Sequence, residues 1–182
     1  FEGQPRLHFR NYSISRDGLP GFHYSLELPP NDGATQSSVE IQERFAPRQE
    51  LAGVGVERRF SVQSSRSCTA WLVVAQSSEV PRLLDEGGAA IDLDPAAEHS
   101  DHAALGHPVR LRHGPSGVQI VSLLAAPNET RWSFVRTNND WRVVLRVPLD
   151  ATARNVEISL AIWSPYRNEP AMIRALLNQK AP

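Results

Sequence analysis

Short segments in which apolar and polar residues alternate recur along the chain from Leu7 to Trp163. A period of two places apolar side chains on one face of a β-strand, whereas a helix needs a period of about 3.6. No helical segment between them is long enough for a parallel crossover, so we expect antiparallel pairing. The pattern therefore predicts an all-β antiparallel sandwich, jelly-roll or immunoglobulin-like, with about ten to twelve strands.

The segment 71–75 differs from the other strands because it is apolar on both faces. This pattern predicts a central strand, with Trp71 in the core as we also expect for Trp163. Residues 80–85 are compatible with a helical turn, 89–93 with a short strand and 94–107 with a loop. The remaining predicted strands are 7–12, 22–28, 38–45, 54–62, 109–112, 118–123, 131–135, 141–147 and 156–163.

Helical spacing occurs near the end of the chain, in residues 170–177. Pro170 suits the first turn of a helix, and Met172, Ile173 and Leu176 fall largely on one side of it. A helix this short is marginal alone. We therefore expect it to pack over one of the sheets or over a sheet edge.

Composition limits the classes of function. The 182 residues suit one sandwich domain spanning 1–182, and a net charge of −1 disfavours nucleic-acid binding. No run approaches the roughly 18 apolar residues of a membrane helix, so membrane insertion is not expected. Phe1 is not followed by a charged and apolar leader, and we interpret the chain as a domain excised from a larger protein.

Cysteine content narrows the possible cofactors. Cys68 is the only cysteine, so the chain cannot form an internal disulfide or a four-thiolate zinc site. Covalent c-type haem attachment is impossible because the Cys-x-x-Cys-His motif is absent. We expect no cofactor, unless a divalent metal or a non-covalent haem is bound elsewhere.

Three segments carry a family resemblance: 7–14, 16–24, which includes Asp17-Gly18-Leu19-Pro20, and 55–62, which includes Arg58-Arg59-Phe60. In this order they resemble a β-rich accessory module of large secreted multi-domain proteins of planctomycetes, often adjacent to c-type cytochrome or other haem-binding domains. The resemblance implies a periplasmic or extracellular location and neighbouring domains of a parent protein as partners. It places any haem in those neighbours and assigns no functional residue to this chain.

The densest group of possible metal ligands lies in residues 92–113. Imidazole nitrogen and carboxylate oxygen suit zinc and other divalent ions, and opposed histidines could also hold a non-covalent haem. The alternative is a solvated connection that happens to be rich in histidine. The candidate ligands are His99, Asp101, His102 and His107.

Tryptophans on either side of a polar turn form a second candidate site. A pyranose ring can stack on an exposed indole while its hydroxyls pair with nearby Asn, Asp and Arg side chains. The alternative, that both indoles pack inward, is favoured because buried aromatic residues dominate sandwich cores. The candidate ligand-binding residues are Arg131, Trp132, Asn138, Asp140 and Trp141.

Signatures of enzymes are lacking. The chain has no Gly-x-Ser-x-Gly elbow, and Gly53-Val54-Gly55 lacks the third glycine of a dinucleotide site. We therefore expect a non-catalytic accessory module that binds an extracellular ligand, such as a carbohydrate, or docks against a neighbouring cytochrome domain. The competing hypothesis is a metal- or haem-dependent redox or hydrolytic domain built on residues 92–113.

Overall fold

The structure, a computed structural model, shows an all-β antiparallel sandwich, which confirms the predicted fold class. It describes residues 6–29, 37–50, 53–85, 87–91, 93, 99–113, 117–137, 140–153, 155–165 and 169–178.

The described residues form thirteen strands and one helix. The strands are β1 (Arg6–Ile14), β2 (Pro20–Leu28), β3 (Ser37–Glu50), β4 (Gly53–Ser64), β5 (Cys68–Ser77), β6 (Arg82–Leu84), β7 (Ala90–Ile91), β8 (His99–Ala103), β9 (Val109–His113), β10 (Gly117–Ala125), β11 (Arg131–Arg136), β12 (Trp141–Leu149) and β13 (Val156–Pro165). The helix, α1, comprises Glu169–Asn178. The predicted short strand in 89–93 is confirmed as β7.

The strands divide between two sheets. A nine-stranded sheet has the order β1-β2-β3-β4-β13-β10-β9-β6-β7, and a four-stranded sheet has the order β5-β12-β11-β8. The ladders in both sheets are antiparallel. Because the second sheet is smaller, it covers only part of the first.

The main hydrophobic core lies between the two sheets. Trp132 and Leu145 of the small sheet and Leu111 and Leu160 of the large sheet have no exposed surface. Alternate residues of most strands supply this core, as the period of two predicts. Burial of these side chains is the main favourable contribution to the stability of the sandwich.

Helix α1 covers the other face of the large sheet. Met172 and Leu176 pack against Ile120 and Trp163, so the predicted packing of the helix on a sheet is confirmed. The buried Trp163 indole donates a hydrogen bond from Nε1 to Ser122 Oγ over 3.1 Å. Among the described residues no helix has both the length and the apolar character that a membrane span requires.

The prediction that 71–75 forms a central strand is wrong. It belongs to β5, which lies at one edge of the four-stranded sheet. Trp71 is 53% exposed and Val73 is 50% exposed, because this strand is covered on its inner face alone. The expected core position of Trp163 is confirmed, since it is 1% exposed.

Two connections predicted as non-strand also contain strands. The segment predicted as a helical turn contains β6, because the edge of β9 offers backbone partners and Leu83 is buried opposite Val109. The segment 94–107, predicted as a loop, contains β8, which pairs with β11. Residues 94–98 lie outside the described residues.

Candidate functional site

Trp132 lies in the sandwich core and has no exposed surface. Its Nε1 donates a hydrogen bond of 2.8 Å to the carbonyl oxygen of His107, which satisfies the polar group of the buried indole. The ring therefore presents no face to a ligand. The prediction that Trp132 is an exposed stacking platform for a sugar is therefore wrong. Its inward packing agrees with the alternative favoured from the sequence.

Trp141, at the start of β12, also belongs to the sandwich core. It is 7% exposed and lies opposite Arg136 of β11, whose guanidinium carbon is 6.0 Å from the centroid of the indole. The turn before it is held by Thr137, whose N–H and hydroxyl each donate to the carbonyl oxygen of Asp140 over 2.7 Å. Asn138 lies outside the described residues.

Arg131 does not join Trp141. It starts β11, whereas Arg136 ends that strand, and it lies directly opposite Arg146 of β12. Arg146 in turn is opposite Trp71 of β5, with its guanidinium carbon 4.8 Å from the indole centroid. The structure thus places Arg131 on the outer face of the small sheet, beside a tryptophan that sequence reasoning had assigned to the core.

The four candidate metal ligands fall in and after β8. His102 is opposite Trp132 in register and its ring meets Phe134 edge-on, with centroids 6.1 Å apart. His107 Nδ1 lies 3.1 Å from the carbonyl oxygen of Leu84. The side chains of His99 and Asp101 are not among the described parts of the structure.

Strand geometry separates neighbouring positions of β8, because successive residues alternate between the faces of a sheet. No group of three or more His, Cys, Asp or Glu residues that could hold a metal occurs within the described part of the chain. The metal and haem hypothesis stays a prediction, since part of its ligand set lies outside that part.

A cleft of about 530 Å³ brings together residues that are far apart in the sequence, and we call it the arginine cleft. Strands β6 and β9 supply arginines, while the ends of β11 and β12 supply Arg136 and Trp141. The segment that leaves β5 completes the wall. The lining residues are Ser78, Glu79, Val80, Arg82, Arg110, Arg112, Arg136 and Trp141.

Local hydrogen bonds hold the wall of the arginine cleft in place. Ser77 Oγ donates to the carbonyl oxygen of Arg112 over 3.1 Å and accepts from the N–H of Glu79 over 3.2 Å. Within β9, Arg110 and Arg112 alternate with Val109 and Leu111, which are fully buried. Core packing of β9 therefore fixes where these two arginines leave the strand.

The arginine cleft is strongly cationic. Arg82 and Arg110 are directly opposite each other in the β6–β9 ladder, an arrangement in which like charges repel. Arg82, Arg112 and Arg136 form no ion pair with any carboxylate of the described residues. Among the described lining residues Glu79 is the one carboxylate, so positive charge predominates in this part of the cleft.

A larger groove of about 840 Å³ on the outer face of β1–β4 has different electrostatics. Of its two arginines, Arg59 is held by Glu57, with 2.7 Å between Nε and Oε1. Glu57 also accepts hydrogen bonds from Ser159 Oγ and Arg48 Nε. The hydrogen bond from Arg59, opposed by burial and supported by Ser159 and Arg48, lowers the pKa of Glu57 to about 2. This carboxylate thus engages one arginine of the groove.

Sequence reasoning identified Trp141 but missed Arg82, Arg110 and Arg112, which line the same cleft. The alternation of Arg110 and Arg112 indicated that they share one face of a strand, yet no local signal connects them to Arg82 or Trp141. Their proximity results from the pairing of β6 with β9 and the packing of the two sheets on one another.

No protein-family model matches the chain, and a search of curated proteins also found no match. The resemblance to the planctomycete module stays a prediction.

Proposed function

We propose that this chain is a non-catalytic binding module of a larger secreted protein and that its ligand is an acidic carbohydrate held in the arginine cleft. The observation that carries the proposal is the convergence of four arginines and one tryptophan on a single cleft. This combination supplies a cationic subsite for an anionic group and some apolar surface in the same place.

The arginines favour a carboxylate as the charged group of the ligand. A guanidinium offers a planar pair of donors that matches the two oxygens of a carboxylate. Arg82 and Arg112 are exposed and have no ion-pair partner among the described carboxylates, so their donors are available.

The size and lining of the cleft favour a sugar acid over a simple anion. A volume of about 530 Å³ falls within the usual range of small-molecule sites, of about 300–1,000 Å³. Val80, which is 47% exposed, supplies most of the apolar contact for the C–H groups of a sugar, and the 7% of Trp141 that remains exposed adds to it. Ser78 and Glu79 add groups that can pair with its hydroxyls.

The setting of the module in a larger secreted protein rests on the resemblance of segments 7–14, 16–24 and 55–62 to an accessory module. An accessory module that binds an acidic polysaccharide would keep the neighbouring domains of the parent protein close to that polysaccharide.

Isothermal titration calorimetry with three probes tests this function. Trigalacturonate carries carboxylates on pyranose rings, maltotriose is the matched neutral sugar, and sodium sulfate is the matched anion without a sugar. We expect trigalacturonate to bind with an affinity that falls as sodium chloride is raised, because salt screens exposed charges. Maltotriose should give no heat of binding.

Substitutions assign that binding to the cleft. The double variant Arg82→Gln, Arg112→Gln should weaken trigalacturonate binding by about tenfold or more, equivalent to about 1.4 kcal/mol or more. Arg16→Gln, an exposed arginine in the turn after β1, is the control and should bind normally. The proposal fails if trigalacturonate does not bind, if sulfate binds as tightly, or if both variants behave alike.

A further inference from the structure

The far end of the large sheet exposes an apolar surface, which we call the apolar wing. It consists of side chains of β1 and β2 that the four-stranded sheet does not cover. Exposed apolar residues are ordinary when scattered, but a contiguous group of this kind is typical of an interaction site. The exposed fractions are 65% for Leu7, 61% for Phe9, 67% for Tyr12, 60% for Ile14 and 36% for Phe22.

A β-bulge places these residues on one face. The β1–β2 register pairs Phe9 with Tyr24 and Tyr12 with Phe22, and it shifts between Phe9 and Asn11. Without the shift, Tyr12 and Ile14 would lie on the opposite face from Phe9, because strand residues alternate. The extra residue, Arg10, therefore makes the apolar surface continuous along the whole strand.

A buried ion pair supports the border between the wing and the core. Arg58 donates to Glu43 from Nε over 2.7 Å, and Tyr24 OH donates to the same carboxylate over 3.1 Å. The guanidinium of Arg58 also lies 5.0 Å from the ring centroid of Phe60, a core residue. The ring of Phe22 packs edge-to-face against the ring of Phe45. These contacts link Phe22, a β2 residue of the apolar wing, to Phe60 of the core through Phe45 and Arg58.

The free edge of β1 adds backbone hydrogen-bonding groups to this surface. Its one neighbour in the described sheet is β2, so the N–H and C=O groups that point away from β2 are unpaired by the strands described. The strand has nine residues and contains no proline. Long edge strands are usually protected by charge, a bulge, proline or a cover. Strand β1 has the first two, and the described residues include neither a proline in β1 nor an element that covers it.

The charge of β1 indicates what should pair with it. The strand contains Arg6, His8 and Arg10 but no Asp or Glu. The carboxylate of Glu27 lies 3.2 Å from His8 Nε2, and Arg10 Nε donates to Ser25 Oγ. A second copy pairing along this edge would bring two basic strands together, and like charges across a ladder are destabilising. A strand with carboxylates on one face is complementary.

We propose that β1 is a strand-addition site for an extended segment of a partner protein. The backbone of that segment pairs with the free edge of β1. Its apolar side chains extend the apolar wing on one face, and its acidic side chains approach Arg6 and Arg10 on the other. In this mode, backbone pairing supplies affinity and alternate side chains supply specificity. The site is separate from the arginine cleft.

Selection from a phage library of random nine-residue peptides tests the proposal on the full chain. The library is counter-selected against the double variant Phe9→Thr, Tyr12→Thr, which keeps β-forming residues but removes the apolar surface. We expect enriched peptides to alternate apolar residues with Asp or Glu. A synthetic peptide of the enriched sequence should shift backbone amide NMR signals of residues 6–14 in the wild-type chain.

Matched variants then separate the contributions. Arg10→Glu should weaken binding of the enriched peptide by about tenfold, whereas Val73→Thr, which alters an exposed residue of β5, should leave it unchanged. Circular dichroism checks that each variant is folded, which we expect because these side chains are exposed. No enrichment above the double variant, enrichment without acidic alternation, or dimerisation of the chain through β1 would each overturn the proposal.

Discussion

Gly55 lies directly opposite Trp163 in the β4–β13 ladder, and the two are in close contact. A Cβ atom placed on Gly55 would come within 2.7 Å of Trp163 Cε3 and of the carbonyl oxygen of Ile162. Real side chains do not approach so closely, so the indole occupies the space that any larger residue would need. Glycine at this position is what allows Trp163 to lie flat beneath helix α1.

Replacing Gly55 with alanine should destabilise the protein by about 1–3 kcal/mol, because neither the buried indole nor the backbone of β13 can move freely. Urea unfolding followed by circular dichroism measures the change. Gly87→Ala is the control, since the nearest described atom to its new Cβ is Asp85 Oδ1 at 3.3 Å, which is farther than either contact at Gly55. Equal stability of Gly55→Ala and wild type would contradict the packing described for Trp163.

Trp132 and Trp71 should respond differently to truncation. Trp132→Ala removes a fully buried indole and should cost about 3–5 kcal/mol of unfolding free energy. Trp71→Ala removes a side chain that is 53% exposed, and should cost about 1 kcal/mol or less. Chemical denaturation of both variants checks the difference, and similar losses would show that one of the two burials is misassigned.

Helix α1 should contribute to the stability of the protein mainly through Met172. This residue is fully buried against the large sheet, so Met172→Ala should lower the unfolding free energy by about 2–5 kcal/mol. Arg174→Ala, on the exposed side of the same helix, should change it by about 0.5 kcal/mol or less. Thermal melts of the two variants test the packing, which fails if Met172→Ala melts like wild type.

The ion pairs of Glu57 predict how acid affects stability. The folded pKa of about 2 lies below the ordinary value of 4.5, so the folded state binds the Glu57 proton more weakly than the unfolded state does. The stabilisation is therefore complete above pH 4.5 and is lost as the pH falls towards 2. A shift of this size corresponds to about 3 kcal/mol as an upper bound.

Urea unfolding between pH 6 and 2 measures this dependence. Glu57→Gln should be less stable near neutral pH and should show a flatter acid dependence than wild type. Glu157→Gln is the control, because this neighbouring carboxylate on β13 is exposed and forms no ion pair among the described residues. If both variants retain the full acid slope, the low pKa of Glu57 is refuted.

Elements with a strong local pattern could be predicted from the sequence. The helix at residues 170–177 was predictable because its apolar residues recur at helical spacing, and the sandwich because alternation persists through most strands. The edge position of β5 could not be predicted, because a run of apolar residues is compatible with both an edge strand and a central strand. Which neighbours a strand has depends on the whole topology.

The apolar wing and the arginine cleft also could not be predicted from local sequence patterns, because both depend on how the strands pair. The bulge at Arg10 transfers Tyr12 to the face of Phe9, and nothing in the local sequence marks that shift. The arginine cleft joins Arg82 of β6 to Trp141 of β12, a proximity that results from the packing of the two sheets. Local alternation was enough to predict the strands. Predicting the two surfaces would have required the register of each strand and the identity of its neighbours.

The uneven cover of the large sheet has a consequence for amide hydrogen exchange. Strand β13 has the sandwich core on one face and α1 on the other, whereas β1 has neither. Exchange protection should therefore be highest in β10 and β13, limited there by global unfolding, and fall stepwise through β4, β3 and β2 to β1. If β1 opens independently of the rest of the sheet, a segment bound to its edge can dissociate and rebind many times before the whole sandwich unfolds.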